Sequence, residues 1–398
     1  WRCGLCQAVF ANAEAAKQHA REMHPATGSQ SQLVSVAATT WKRDAKGLFD
    51  REDVDNHQHQ GLVLPLSSNV PPLRFSRQDG ALRLVQGPDL PECSPMHTQI
   101  SWGRWGPVVE RTPTASKHSS SKSMWVAVED GGHVLRKGDH IKLGRYTIGV
   151  RQIQLDGPPQ IPNFSSHKDA GTAPIGLSGD AEATCRICLD SGETEEDGPM
   201  ISAPCLCKGG MQYVHLGCLR HWLGTRYSVL DRLQPPTEGA SAYSFKPPAC
   251  DICKTEFPAS FKMNDEEPVT LLANLPLVQP PFAVFSLPKS PDKERPHGER
   301  CVFAPGTGAT LRIGRSQESG LQLLDVSVSR IHATVVFRGN DFVLLNNEAR
   351  FGTSVMPHGP RQLPTAEHGS LSIQAGRTLL RLAMEPMQTG ERHEGISL

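Results

Sequence analysis

Between Cys185 and Cys253 the chain sets seven cysteines and one histidine in the pattern Cys-x2-Cys-x16-Cys-x1-Cys-x7-His-x2-Cys-x31-Cys-x2-Cys. These are Cys185, Cys188, Cys205, Cys207, His215, Cys218, Cys250 and Cys253. Thiolate and imidazole are zinc ligands, and a structural zinc takes four of them on a tetrahedron. Eight ligands suit two Zn2+ ions, since a single ion would leave four thiolates idle. Each close pair comes from one tight turn and supplies half of a tetrahedron. Disulfides fit less well: His215 cannot join such a framework, and no signal-like segment accompanies the cysteines. Full protein coordination leaves no open position for a reactive water, so these ions are expected to fold the chain, not to hydrolyse a substrate.

Two further sets carry chemistry. Near the start, Cys3, Cys6, His19 and His24 give Cys-x2-Cys-x12-His-x4-His. The stretch 11–22 is rich in helix formers, which would place both histidines on one side of a helix. Near the end stand Leu311-Arg312-Ile313-Gly314-Arg315, Val328-Ser329-Arg330-Ile331-His332-Ala333 and Arg350-Phe351-Gly352-Thr353. A phosphate group on a side chain carries a charge of about −1.5 to −2 and three acceptor oxygens. Arg315 can grip it with two parallel N–H groups, Ser329 can donate a hydroxyl, and Arg330 adds a second cation. No set of nucleophile, base and orienting group is visible. His57 and His59 are read as solvated loop.

The words Cys185-Arg186-Ile187-Cys188-Leu189, Pro204-Cys205-Leu206-Cys207, His215-Leu216-Gly217-Cys218-Leu219, Trp222 and Cys250-Asp251-Ile252-Cys253-Lys254 resemble the RING-CH family, the variant RING finger of membrane-associated and viral ubiquitin ligases. PHD fingers share the ligand order. They place an aromatic two residues before the last cysteine pair, where this chain has Pro248, and the close Cys205–Cys207 pair followed by His215 is the RING-CH arrangement. The resemblance implies a cross-brace, one zinc on Cys185, Cys188, His215 and Cys218 and the other on Cys205, Cys207, Cys250 and Cys253. It also implies a ubiquitin-conjugating enzyme as partner, contacted by Ile187 and Trp222, with Lys254 where some RING proteins carry a cation that clamps ubiquitin. The long gap before Cys250 departs from the family, with a Pro/Gly/Ser-rich insert over 234–244 that solvent-exposed loops tolerate.

The first set resembles the classical Cys-Cys-His-His finger, ββα in fold, with Phe10 as core aromatic and Ala16 where the family prefers leucine. DNA-reading fingers come in arrays of about 3 bp per finger. A lone finger is expected to make a protein contact or only to fold, so nucleic acid is not an expected partner. The third set resembles the forkhead-associated (FHA) domain, an all-β sandwich that binds phosphothreonine peptides. By that resemblance His332 is architectural and Gly352 and Thr353 shape the third loop. Phosphothreonine proteins become expected partners through Arg315, Ser329, Arg330 and Thr353. Phe351 stands where the family often has asparagine.

These residues need elements to hold them. Leu62-Val63-Leu64, Leu82-Arg83-Leu84-Val85 and Trp125-Val126-Ala127-Val128 read as short strands. Gly138–Val150 alternates apolar residues around Gly144-Arg145 and reads as a hairpin. Gly369–Leu382 repeats that plan around Gly376-Arg377, which suggests a degenerate FHA-like relative in the first half. The predicted organisation is a classical finger over 1–26, a linker over 27–60, a small β domain over 61–155 and a linker over 156–180. A RING-CH finger over 181–262, a connector over 263–295, an FHA domain over 296–385 and a tail over 386–398 follow. The fold class is thus multidomain: zinc-stabilised α+β, all-β sandwich and ββα finger.

The 398 residues leave room for two or three domains. Zero net charge gives no general pull toward nucleic acid or membrane. Of the 11 cysteines only Cys93 and Cys301 fall outside the ligand sets, as plain thiols. The uncharged run 269–288 holds Pro276, Pro280, Pro281 and Pro288 and is read as strand or connector, not a membrane helix. The expectation is a soluble cytoplasmic or nuclear protein holding three zinc ions, two in the RING-CH stretch and one in the first finger. It would act as a ubiquitin ligase that selects phosphothreonine clients, or as a phosphopeptide scaffold whose zinc modules only dock partners. The chain opens on Trp1, which leaves room for an upstream segment.

Overall fold

The computed structural model describes residues 1–3, 6, 8–23, 31–43, 48–78, 81–85, 94–111, 124–129, 131–162, 183–226, 232–233, 241–245, 248–258, 260–261, 269–271, 277–287, 300–305, 309–356 and 359–385. Strands dominate; the α-helices among these residues are Ala13–Met23 and Leu216–Arg226. Two β-sandwiches share one thirteen-stranded sheet.

In the first sandwich, the shared sheet runs His57–Ser67, Ser31–Trp41, Thr378–Met384, Leu371–Ala375, Met124–Ala127. It faces a sheet of Ala81–Val85, Leu73–Gln78, Ser94–Gly103, Gly106–Arg111 and Arg361–Gln362. In the second, Arg300–Ala304, Phe282–Ser286, Tyr146–Gln154, His140–Leu143 and Thr353–Met356 face Leu321–Gln322, Thr310–Gly314, Ala333–Arg338, Asp341–Asn346 and His133–Val134. Strand for strand the two orders are the same. The sandwiches meet where Met124–Ala127 pairs antiparallel with Thr353–Met356.

The last three strands of each sandwich are exchanged. His133–Val134 and the hairpin of His140–Leu143 with Tyr146–Gln154 follow the first sandwich in sequence but complete the second. Arg361–Gln362 and the hairpin of Leu371–Ala375 with Thr378–Met384 follow the second but complete the first. Ile141, Leu143, Ile148 and Val150 lie in the core with Phe285, Phe303 and Leu311, while Ile373, Leu380 and Leu382 lie with Val36, Leu64 and Phe75. Burying one such side chain stabilises by about 1.5–3 kcal/mol, so each borrowed hairpin contributes several kcal/mol to its host.

The predicted domain boundaries therefore need correction. The stretch 27–60 is not a linker: Ser31–Trp41 is a central strand paired along its length with His57–Ser67. Val34, Val36 and Ala38 alternate inward, but Ala37-Ala38 and Thr39-Thr40 put one residue type on both faces and erase the apolar contrast by which a strand is recognised. The units 61–155 and 296–385 are not separate, because each holds strands of the other.

The cysteine-rich region is an insertion in this frame. The chain leaves the strand Tyr146–Gln154 of the second sandwich at Gln154 and enters the neighbouring strand at Phe282, its partner in register. Gln160 and Val278 exchange backbone hydrogen bonds of 3.1 and 2.9 Å just outside. The long insert before Cys250 also has a place. Its end lies in the strand Ser241–Phe245, which pairs with Arg300–Ala304 and extends the shared sheet; residues 234–240 lie outside the described residues. The apolar core of the cysteine-rich module runs without a break into Phe282, Val284 and Val302 of that sheet.

The first finger docks on the opposite edge. Arg2–Cys3 pairs with Leu62 and Val63, and the helix, capped by Asn12 Oδ1 accepting from the Ala15 N–H at 2.9 Å, turns Ala16 and Ala20 onto Val63. Alanine in place of leucine at position 16 lets helix and strand approach closely, and the finger covers an edge strand that would otherwise expose its backbone. No helix among the described residues is long and apolar enough to cross a membrane.

Candidate metal centres and phosphate-binding face

The eight central ligands gather into two groups: Cys185, Cys188, His215 and Cys218, then Cys205, Cys207, Cys250 and Cys253. Within each group the ligand atoms lie within 4.8 Å of one another. Two knuckles, one opening the first group and one closing the second, share one geometry. Cys185 N–H donates to Asp190 O at 2.8 Å and Leu189 N–H to Cys185 O at 2.8 Å; Cys250 N–H donates to Thr255 O and Lys254 N–H to Cys250 O, both at 2.9 Å. Leu189 and Lys254, directly after each second cysteine, both take positive φ, of 65° and 60°. His215 ends a strand paired to Met200–Ser202, and Cys218 stands in the first turn of the helix Leu216–Arg226.

The donor spacing fits zinc. Ligands bonded at 2.0–2.3 Å on a tetrahedron stand roughly 3.3–3.8 Å apart. Cys188 Sγ lies 3.3 Å from His215 Nδ1, and Cys207 Sγ lies 3.7 Å from Cys250 Sγ. Burial pushes the Cys205 thiol up to about 12. It raises Cys253 too, but hydrogen bonds, chiefly from Thr255, outweigh it and hold that thiol down to about 6. A bound cation would deprotonate these thiols together. In the first finger Cys3, Cys6 and His19 converge, with Cys6 Sγ 3.1 Å from His19 Nε2; His24 lies outside the described residues.

Arg186 was not singled out by its sequence position, yet it ties the two groups together. From the first knuckle its guanidinium donates to Met211 O at 2.6 Å and lies 3.9 Å from Cys205 Sγ and 3.8 Å from Cys250 Sγ of the second group. Each between two ligand cysteines, Ile187, Leu206 and Ile252 stand 37%, 69% and 56% exposed, apolar side chains held in solvent beside the centres. Lys254 is exposed, and Trp222 is half-buried, edge-on to Phe257 at 6.3 Å between ring centres.

At the far end of the second sandwich, three loops meet. Arg315 N–H donates to Ser329 O and Ser316 N–H to Arg330 O, both at 3.0 Å, lacing the first loop to the second. A side chain at Gly314 could not fit, since a Cβ there would stand 2.1 Å from Arg330 O. His332 joins the second loop to the third: its Nδ1 accepts from Ser329 N–H at 3.0 Å and its Nε2 faces Gly352 O at 3.2 Å. Burial holds its pKa down to about 4, so the ring is neutral and donates from Nε2. Arg315 and Arg330 are exposed and Ser329 half-exposed, so all three can face a ligand. Thr353 cannot. It is fully buried and donates its hydroxyl to Asn346 Oδ1 at 2.8 Å, which removes it from the expected contact set and leaves it the task of shaping the loop.

Residues 185–253 match the RING-variant domain family, and residues 311–368 match the FHA domain family. Over 97 residues the chain is 34% identical to the ERAD-associated E3 ubiquitin-protein ligase DOA10 of Saccharomyces cerevisiae. That stretch is 24% of this chain and 6% of the yeast protein, so the likeness covers a small part of either. No solved structure matches.

Proposed function

We propose that the chain is a RING-type ubiquitin ligase that binds a conjugating enzyme on its RING-variant module and chooses clients through phosphothreonine on its FHA loops. The observation that carries this reading is the convergence of eight ligands into two interleaved groups, with Ile187, Leu206 and Ile252 raised beside them. Zinc supplies folding energy when bound, and the protein's own residues would do the rest. Ile187 and Trp222 would seat the conjugating enzyme, and Lys254 would steady its ubiquitin. Catalysis would come from holding the loaded enzyme in a reactive pose beside the client, an effect of proximity and orientation. Arg315, Ser329 and Arg330 would grip the client phosphate.

The test is ubiquitin transfer by the purified chain across a broad panel of conjugating enzymes, with zinc quantified in parallel. Chain formation that depends on zinc is expected. A zinc-loaded protein that forms no chains with any enzyme would leave a docking scaffold in its place.

A further inference from the structure

Both sides of the phosphate-binding face are held by residues far outside the stretch that matches the FHA family. The second loop is held by the turn of the borrowed hairpin. Gly144, at φ 58°, lies against Ser327, and Arg145 N–H donates to Ser327 Oγ at 3.0 Å. The Arg145 guanidinium binds Asp325 by both branches, Nη2 to Oδ2 at 2.7 Å and Nε to Oδ1 at 3.3 Å. Asp325 Oδ1 in turn accepts from Ser327 N–H at 2.7 Å. This lattice ends two residues before Ser329.

The third loop is held from the segment between the first two strands of the first sandwich. Arg51 N–H donates to Arg350 O at 3.0 Å, and Asp50 Oδ2 accepts from Arg350 Nε at 2.8 Å. The Arg51 guanidinium fills the space beside Gly352, where a Cβ would meet its Cζ at 2.2 Å. Arg350 N–H then reaches Ser329 Oγ at 3.4 Å, so the hydroxyl offered to phosphate is oriented by a loop that Asp50 and Arg51 anchor.

We infer that the phosphothreonine site is composite, with Arg145 and Asp50 as positioning residues that set the Ser329 and Arg350 loops for the phosphate. This rests on the phosphothreonine reading above. Neither residue touches the ligand; each fixes a loop that does. Bidentate charge-assisted pairing is what keeps such a loop in one geometry.

The full chain is titrated on resin bearing a degenerate phosphothreonine peptide library and on the same resin after dephosphorylation, with melting temperature and zinc content recorded for each variant. The parent is expected to retain only on the phosphorylated resin, and Arg315→Ala to lose that retention. Arg145→Gln and Asp50→Asn should each weaken retention about tenfold. The exchange Arg145→Asp with Asp325→Arg should recover part of what Arg145→Asp alone loses, since it restores the ion pair but not the Ser327 N–H bond to Asp325, and a general loss of folding would not allow that recovery. Parent-like retention by Arg145→Gln and Asp50→Asn, alongside loss in Arg315→Ala, overturns the composite site and leaves phosphate recognition standing. Equal retention of the parent on both resins overturns the phosphate reading and this inference together.

Discussion

Replacing His332 with glutamine should flatten the acid sensitivity of the second sandwich. The folded ring titrates near 4, against 6.5 for an unstrained histidine, because burial disfavours its charged form. The unfolded chain therefore binds a proton that the folded chain refuses between those two values. Stability is complete above pH 6.5 and falls as pH drops toward 4. At about 1.4 kcal/mol per unit, the whole shift is worth about 3 kcal/mol, of which about 2 kcal/mol is lost between pH 7.5 and pH 5. Urea unfolding at steps across that range, followed by a probe in the second sandwich, measures it. Protonation of thiols at any bound zinc would also weaken the protein in acid, but the parent and His332→Gln share those sites, so the difference between their pH profiles isolates this ring. His332→Gln should be less stable at pH 7.5 and should converge on the parent by pH 4.5. Parallel profiles for the two proteins would refute the neutral, loop-tying histidine.

Cys188→Ala should release zinc and unfold the RING-variant module, since a structural zinc contributes about 10–16 kcal/mol and a typical domain has about 5–15 in total; metal analysis with hydrogen exchange checks it, and retained zinc contradicts the ligand grouping. Ile187→Ala should leave melting unchanged and abolish ubiquitin transfer, and full transfer by this variant would remove the docking surface proposed here. Arg315→Ala should lose phosphothreonine binding with almost no change in melting temperature, because its side chain is exposed. Gly314→Ala should lose that binding and also melt lower by several degrees, because its methyl must displace the Arg330 carbonyl.

The metal centres were legible in the sequence because their chemistry resides in residue type and spacing. Eight soft ligands in close pairs have few other uses, and the FHA loops are marked by Gly314, Arg315, Ser329 and His332 for similar reasons. The strand Ser31–Trp41 was hidden because the pairs Ala37-Ala38 and Thr39-Thr40 present one residue type to both faces. The strand exchange left no local trace at all. Its two hairpins share one plan, apolar alternation broken by Gly144-Arg145 in one and Gly376-Arg377 in the other, so each suits either slot and sequence pattern cannot say which slot it fills. The same holds for Arg145 with Asp325 and Asp50 with Arg350. Ion pairs between residues 180 and 300 positions apart carry no periodic signal.

The traded hairpins also clasp the molecule. A protease that cuts anywhere between Gln154 and Phe282 severs the backbone between the halves, yet each half still grips strands inside its neighbour's core. The pieces should travel together through a sizing column until denaturant melts both sandwiches. Damage to the RING-variant module would then leave the FHA loops in place, their sandwich still carrying the remains of its partner.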